Sequence, residues 1–535
     1  MGDIASGSNT NNTAHPVAIR GDSTVSTTAT ATHPEQKRKL TFPSAYTVLL
    51  IVAALVAILT WMVTPGIYDK LSYDDVSNTF MVTYASGDMK EFPATQETLD
   101  QFDIKAHLDK FTGGDIRKPI GIPGTYTTVE PSPQGVTAFF QAPIAGMYDS
   151  IGVVFFVLVI GGFIGVVNHT GAFNSGIQSL STALEGREKW LIIIVTALIA
   201  VGGTTFGMAE ETIAFYPILV PIFLAAGYDA IVALAAIYLG SSVGTMCSTV
   251  NPFSTIIASN AAGINWTDGL TPRLIMLVLG TALCIWYLIR YAEKVKANPE
   301  KSLIFSQKAE LETRFLGNHS ADSTQMTSQT KMILSVFTAT FIIMVYGVSQ
   351  LGWWFMEMTT LFFVASLVVG VLSRIDEKAF VREFLQGASD LLGVAMIIAI
   401  ARGVTILMDQ GMISDSILHA SAGLVDGMDK GFFIVVMMVL FAGISFFVPS
   451  SSGLAVLSMP IMAPLADVVG LPRDNIVSAY QYGMGLMAFI TPTGLVLASL
   501  AMVNVTFDKW LKFVLPLLGM LTGLAAVLLL ITAYL

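Results

Sequence analysis

The chain has 535 residues, 53% of them hydrophobic and only 12% charged, with a formal net charge of −10 and a mean hydropathy of +0.68. Soluble domains carry about 25% charged residues, so this much apolar surface cannot be hidden in one water-soluble core, and lipid must be its solvent. A soluble enzyme and a nucleic-acid-binding module are excluded: the acidic excess lies mainly in one loop, and no basic patch offers a footprint for nucleic acid. The two cysteines, Cys247 and Cys284, sit in apolar segments, so no disulfide framework is implied. The six histidines are scattered without metal-ligand spacing, so no metal and no cofactor are expected.

Residues 1–40 are rich in Ser, Thr, Ala and Asn and lack an apolar core for a cleavable signal; they read as a disordered tail. Lys37-Arg38-Lys39 precedes a first apolar span, 41–64, an arrangement that keeps the tail in the cytoplasm. The polar stretch 65–142 is too long for a turn, carries many acids from Asp69 to Glu130, and is expected to fold as a small cap outside the cell. Apolar runs follow from 143 to 290, then a Lys-rich linker at 291–331, a pair of spans within 332–373, the segment RIDEKAFVR (374–382), and further apolar runs over 383–535. Positive loops stay inside, so the linker and RIDEKAFVR both face the cytoplasm, and the two spans between them return the chain to the same side.

The chain also resembles itself. PILVPI (217–222) matches PIMAPL (460–465), and YDSIGVVFFVLVIGG (148–162) matches SDLLGVAMIIAIARG (389–403), which aligns Asp149 with Asp390 and Gly162 with Gly403. TGAFNSGI (170–177) matches QGMISDSI (410–417), Asn251-Pro252 falls opposite Thr491-Pro492, and Asp268 falls opposite Asp508. The offset stays between 240 and 243 residues, as a true internal repeat requires. The copy at 143–290 begins after the external loop and the copy at 383–535 after a cytoplasmic one, so equivalent helices cross in opposite senses. Inverted repeats of this kind build secondary transporters, with the substrate near the midplane between the halves.

Several segments are too short or too interrupted to span. WLIIIVTALIAV (190–201) has twelve residues before Gly202-Gly203, whereas a span needs about 20. It is expected to form one arm of a hairpin near 190–227, with Glu210 and Glu211 at the tip. A second hairpin is expected near 431–466, broken at Pro449-Ser450-Ser451-Ser452-Gly453. Each repeat has a further break downstream, GTMCSTVNPFST (244–255) and FITPTGLV (489–496). A single proline or glycine merely kinks a membrane helix; four breaks in symmetric positions point to a cavity lined by free amides, carbonyls and hydroxyls. Exposed half-helix N-termini there attract carboxylates, and exposed carbonyls hold cations.

The pattern GMAEETIAFYPILVPI…GSSVGTMCSTVNPFST, then FVPSSSGLAVLSMPIMAPL…FITPTG, resembles the C4-dicarboxylate anaerobic carrier family, and within it the YfcC-like group of basic amino acid antiporters. The resemblance covers residues 41–535 and implies an ion transporter superfamily fold: an all-α polytopic membrane protein of two inverted-topology repeats with re-entrant hairpins and broken helices. It places the hairpin tips at 203–212 and 448–453 and the helix breaks at 248–255 and 491–494. It implies a homodimer in the bacterial inner (plasma) membrane, multi-pass, with lipid and a small-molecule substrate as partners. Sodium-coupled relatives carry Ser-Asn-Thr at the hairpin tips; neither tip here does, so the coupling ion is left as a proton or sodium.

The residues expected to bind substrate lie on these breaks: Glu210, Glu211 and Thr212; Ser248, Thr249, Asn251 and Pro252; Ser450, Ser451, Ser452 and Gly453; Thr491, Pro492 and Thr493. Two acids at membrane depth are costly unless paired or protonated, and they are expected to split their roles, one meeting a substrate ammonium or a proton, the other accepting backbone amides. Arg402 is added because Gly161 stands at its counterpart. Its guanidinium fork suits a carboxylate, or it locks onto Asp390 or Glu210. Asp149, Asp390, Asp268 and Asp508 read as helix-start residues, and Tyr216, Tyr480 and Tyr482 as packing. An acidic pair with one arginine fits a molecule bearing both ammonium and carboxylate, so the expected function is alternating-access transport of a small amino acid, a basic one by antiport. The alternative is a carrier of C4-dicarboxylates or other small carboxylates. An intramembrane enzyme would need a base for Ser450–Ser452, and no histidine or lysine stands at membrane level to supply one.

Overall fold

The computed structural model describes residues 43–535 apart from 114–115, 117–118, 174, 177–178, 180–185, 317–326, 352 and 424–427. The tail expected at 1–40 lies outside the described residues. Among those described, ten helices are long and apolar enough to cross a membrane, and the protein is a polytopic membrane protein whose spans are all helical. The first, α1 (Ala45–Met62), starts where the Ser44 hydroxyl accepts the Thr47 amide at 3.3 Å. Leu55, Ile58, Trp61 and Met62 on its exposed face stay apolar, as a lipid-facing surface requires.

The stretch after α1 folds as a β-rich cap. Strands β1 (Gly66–Ile67), β2 (Lys70–Asp74), β3 (Thr79–Thr83), β4 (Met89–Pro93), β5 (Ile120–Gly121) and β6 (Thr127–Thr128) form an antiparallel sheet ordered β4-β3-β2-β5 and a small β1-β6 pair. The period of two buries Leu71, Phe80 and Val82 on one face. Two short helices, α2 (Gln96–Gln101) and α3 (Leu108–Thr112), cover that face with Leu99 and Phe111. The same cluster includes Val456 from the membrane body, so the cap sits on that body. The Tyr68 amide donates to Asp415 at 3.1 Å, and the Tyr126 ring stacks on His419 at 3.9 Å. Burial, with the Asp415 charge adding to it, pushes the Tyr68 phenol up to about 12. The cap is shorter than 65–142, because α4 (Val136–Asp149) already begins at Val136.

The helices that follow α4 are α5 (Ile151–His169), α6 (Glu188–Phe206), α7 (Tyr216–Ala225), α8 (Ala230–Met246), α9 (Ile257–Ala261), α10 (Leu270–Ala297) and α11 (Lys308–Leu316). Then come α12 (Ser328–Leu351), α13 (Phe355–Leu372), α14 (Glu377–Gln410), α15 (Ser414–Gly423), α16 (Lys430–Phe447), α17 (Ser451–Val468), α18 (Arg473–Ala488), α19 (Val496–Met502) and α20 (Phe507–Tyr534). α6 and α7 pack on α8, and α10 packs on α6 and α8; in the second half α16 and α17 pack on α18, and α20 packs on α16 and α18. α14, 34 residues long with Asp376 capping its start, runs against α1, α4, α5 and α19. The linker helix α11 lies against α7, and beside it Asp229, the N-cap of α8, accepts hydroxyls from Tyr291 at 2.9 Å and Ser302 at 2.6 Å.

Glycines set how closely these helices approach. A Cβ on Gly244 would sit 2.3 Å from the Ala200 carbonyl oxygen, and one on Gly203 would sit 2.8 Å from that of Ser241. The pair Gly202-Gly203 was expected to end the first hairpin arm; instead α6 runs through it to Phe206, because Gly203 is a contact surface for α8. The chain turns only at Gly207, where φ is +74°. On α5, Gly161 and Gly165 meet Gly387 and the Glu383 carbonyl of α14 in the same way, which is why a glycine stands where the other half has Arg402. Three further expectations fail. Asp149 ends α4 rather than starting a helix, and Asp390 lies inside α14, where Gln386 donates to it at 3.0 Å. Asp268 caps no helix; it accepts the Asn265 amide at 3.0 Å in the turn before α10.

Gly244→Val should lower the unfolding temperature of the detergent-solubilised protein, at a cost of about 1–3 kcal/mol from overpacking the α6–α8 contact. Gly519→Ala, in α20 with nothing within 4 Å of the added carbon, should leave it unchanged or raise it slightly. Equal melting of the two variants in a fluorescence-monitored scan would contradict this packing account.

Candidate substrate-binding site

Four interruptions in the helices converge on one cavity. α6 stops at Phe206; Gly207–Ala209 then leads into a 3-10 turn over Glu210–Phe215 before α7. α8 stops at Met246, and the chain resumes as a π-type turn over Pro252–Ile256 that runs into α9. In the second half α16 stops at Phe447 and α17 starts at Ser451, while α18 stops at Ala488 and α19 starts at Val496.

The freed backbone groups bond across the breaks. The Thr204 carbonyl, at the end of α6, accepts the amides of Thr249 and Val250, each at 3.3 Å. Its hydroxyl donates to the Cys247 carbonyl at 3.0 Å, and the Thr249 amide donates to that hydroxyl at 3.0 Å. Ser241 donates its hydroxyl to the Met208 carbonyl. The Thr493 hydroxyl donates to the Phe446 carbonyl at 3.1 Å, joining the end of α16 to the second break. Ser450 caps α17 by accepting the Gly453 amide at 3.1 Å. In each half the hairpin tip is thus fastened to the nearby broken helix, by Thr204 and Ser241 in the first half and by the expected ligand Thr493 in the second.

The cavity between these breaks has a volume of about 440 Å³, within the range typical of small-molecule sites. Its wall includes Glu210, Asn251, Arg402, Ser450, Ser451, Ser452, Thr491 and Thr493 from the expected set. The other expected residues stand outside the wall. Glu211 is buried and accepts the Ala209 amide at 3.0 Å. Thr212 donates its hydroxyl to the Ala209 carbonyl. Ser248 accepts the Ser254 hydroxyl at 3.0 Å, and Thr249 is committed to Thr204. Gly453 is used in the Ser450 cap, Pro252 opens the π-type turn, and Pro492 lies in the turn between α18 and α19; none of the three lines the space. Asn251 lines the cavity while its side-chain oxygen accepts the Phe253 amide at 2.8 Å. Its amide group packs against Gly207, where a Cβ would come within 2.7 Å of it.

Sequence reasoning missed part of the wall: Asp149, Ser150, Ser241, Ser242, Thr245, Thr405 and Ser445. The run GSSVGT in α8 was the available signal, three hydroxyls inside a buried helix. Arg402 pairs neither with Asp390 nor with Glu210; its Nε donates to Asp149 Oδ2. Among the described residues its two terminal nitrogens have no protein partner, so an end-on pair of donors remains for a ligand. Glu210 has no ion-pair partner among the described residues. The cavity therefore offers a carboxylate, a guanidinium fork and a rim of hydroxyls. Tyr216, Tyr480 and Tyr482 are buried in packing, and no group of three or more metal-ligating side chains occurs among the described residues.

The family model for the C4-dicarboxylate anaerobic carriers matches residues 42–534. An uncharacterised protein of Haemophilus influenzae is 45% identical over 93% of this chain and 98% of its own length. The Escherichia coli protein named "Putative basic amino acid antiporter YfcC" is 29% identical over 93% of this chain and 97% of its own length. Among solved structures, the YdaH transporter of Alcanivorax borkumensis aligns with a TM-score of 0.37 and 13% identity over 91% of this chain and 98% of its own. MtrF of Neisseria gonorrhoeae aligns with a TM-score of 0.38 and 15% identity over 92% of this chain and 95% of its own. With the match spanning nearly every residue from the first transmembrane helix to the last, the chain is a multi-pass membrane transporter and belongs to the C4-dicarboxylate anaerobic carrier family.

Proposed function

We propose that this transporter moves a small amino acid, a basic one taken in exchange for another, across the bacterial inner membrane by alternating access. The observation that carries the reading is the joint placement of Glu210 and the free end of the Arg402 guanidinium on one hydroxyl-rich wall. A guanidinium fork fits a carboxylate, and Glu210 fits an ammonium. The name of the Escherichia coli relative agrees with this chemistry. In the same reading the two halves, 143–290 and 383–535, are inverted-topology repeats whose hairpins close over the cavity in turn. The matching helix partners in the two halves support it, with the N-terminus in the cytoplasm and two copies forming a homodimer. The coupling ion is a proton or sodium.

The test is counterflow into proteoliposomes preloaded with an amino acid. Labelled amino acid is expected to accumulate, with basic side chains exchanged best; exchange of dicarboxylates alone would overturn the reading. Within that assay Glu210→Gln should weaken apparent substrate binding roughly ten- to hundredfold, as the loss of one charged hydrogen bond does. Arg402→Lys keeps the charge but loses the fork, and should fall between the wild type and Arg402→Ala. Wild-type affinity in Glu210→Gln would remove that side chain from the site.

A further inference from the structure

Asp149 was not expected at the site, and the reading of the cavity as an amino acid site leaves it without a task. It is the last residue of α4, held on the cavity wall at a break where the Ser150 hydroxyl bonds back to the Gly146 carbonyl at 2.6 Å and α5 begins one residue later. Its partner Arg402 precedes Gly403 on α14. A Cβ on Gly403 would lie 2.5 Å from the Ala142 carbonyl oxygen, and one on Gly146 would lie 2.1 Å from that of Ala399. Backbone contact between α4 and α14 at these two points, close to the pair, thus fixes how far the two side chains are apart. The pair belongs to a rigid helix crossing rather than to the hairpin tips.

Among the described residues, the charged side chains on the wall are Asp149, Glu210 and Arg402, which leave one net negative charge. We infer that Asp149 is a specificity-determining residue: by neutralising Arg402 it leaves the cavity one net negative charge, and so selects an amino acid that carries one net positive charge. The inference rests on the amino acid reading given above and deepens it. Once a site closes, uncompensated charge in a low dielectric is unfavourable. A basic amino acid, with its carboxylate on the free fork of Arg402 and its two cationic groups among the acids, brings the occluded total to zero. A neutral amino acid leaves the negative charge uncancelled, and a dicarboxylate adds two more. Without Asp149, Arg402 would balance Glu210 alone, and the preference for a cationic side chain would lose its electrostatic cause.

Arginine and citrulline test this, because they share size and shape and differ in side-chain charge. Competitive counterflow by the full-length protein in proteoliposomes gives the ratio of their apparent affinities. The wild type should favour arginine, and Asp149→Asn should cut that ratio by at least about tenfold, with citrulline binding retained; Asp149→Glu should keep the preference. Should Asp149→Asn not assemble, the double variant Asp149→Asn/Arg402→Gln returns the wall to one net negative charge and should favour arginine while binding both ligands more weakly. An unchanged ratio in Asp149→Asn, or parallel loss of both ligands from a folded variant, would overturn the inference and leave the amino acid reading standing. A wild type that exchanges no amino acid would overturn that reading itself.

Discussion

Backbone that leaves the helix inside an apolar body must find hydrogen-bond partners in its own chain. The structure meets that demand at each break with small polar side chains and neighbouring amides. The Thr204 carbonyl and hydroxyl serve three residues of the first broken helix, and Thr493 does the same for the end of α16. Once the breaks are fastened in this way, side chains that take part in the fastening, such as Ser450 and Thr493, face the space between them together with Glu210 and Arg402. The cavity with Glu210, Arg402 and the serines of the second tip is the consequence.

A second constraint acts on the helices themselves. With lipid outside, no hydrophobic gain drives two helices together, and close approach through small residues does most of the work. Gly161, Gly165, Gly387, Gly146 and Gly403 bring α4, α5 and α14 into backbone contact. This rigid group carries Arg402 and Asp149, while the tips that carry Glu210 and Ser450 sit on short, hydroxyl-tied turns. A transporter needs both kinds of part: a frame that keeps charge in place and turns whose few hydrogen bonds can be exchanged.

Much of this was legible in the sequence because membrane depth makes polar and helix-breaking residues conspicuous. The breaks around Glu210, Asn251, Pro449 and Thr491 stand out from their apolar surroundings, and the helices do end near them. Less legible was what each glycine does, since a packing glycine and a turning glycine look alike in a string of letters. Gly202-Gly203 read as a break and is a helix contact, while the turn waits for Gly207. The pairing of Asp149 with Arg402 was hidden for another reason: the two residues are 253 positions apart, and only the α4–α14 crossing brings them together. The cap's sheet was hidden too, because its strands are two to five residues long and too brief for a clear alternation.

The most direct test of the account is a cryo-EM density map of the protein incubated with saturating arginine. The account predicts ligand density in the cavity between the four breaks, with a carboxylate on the terminal nitrogens of Arg402 and an ammonium at Glu210. Density for arginine elsewhere with this cavity holding only solvent, or residues 207–215 drawn as uninterrupted α-helix, would contradict it.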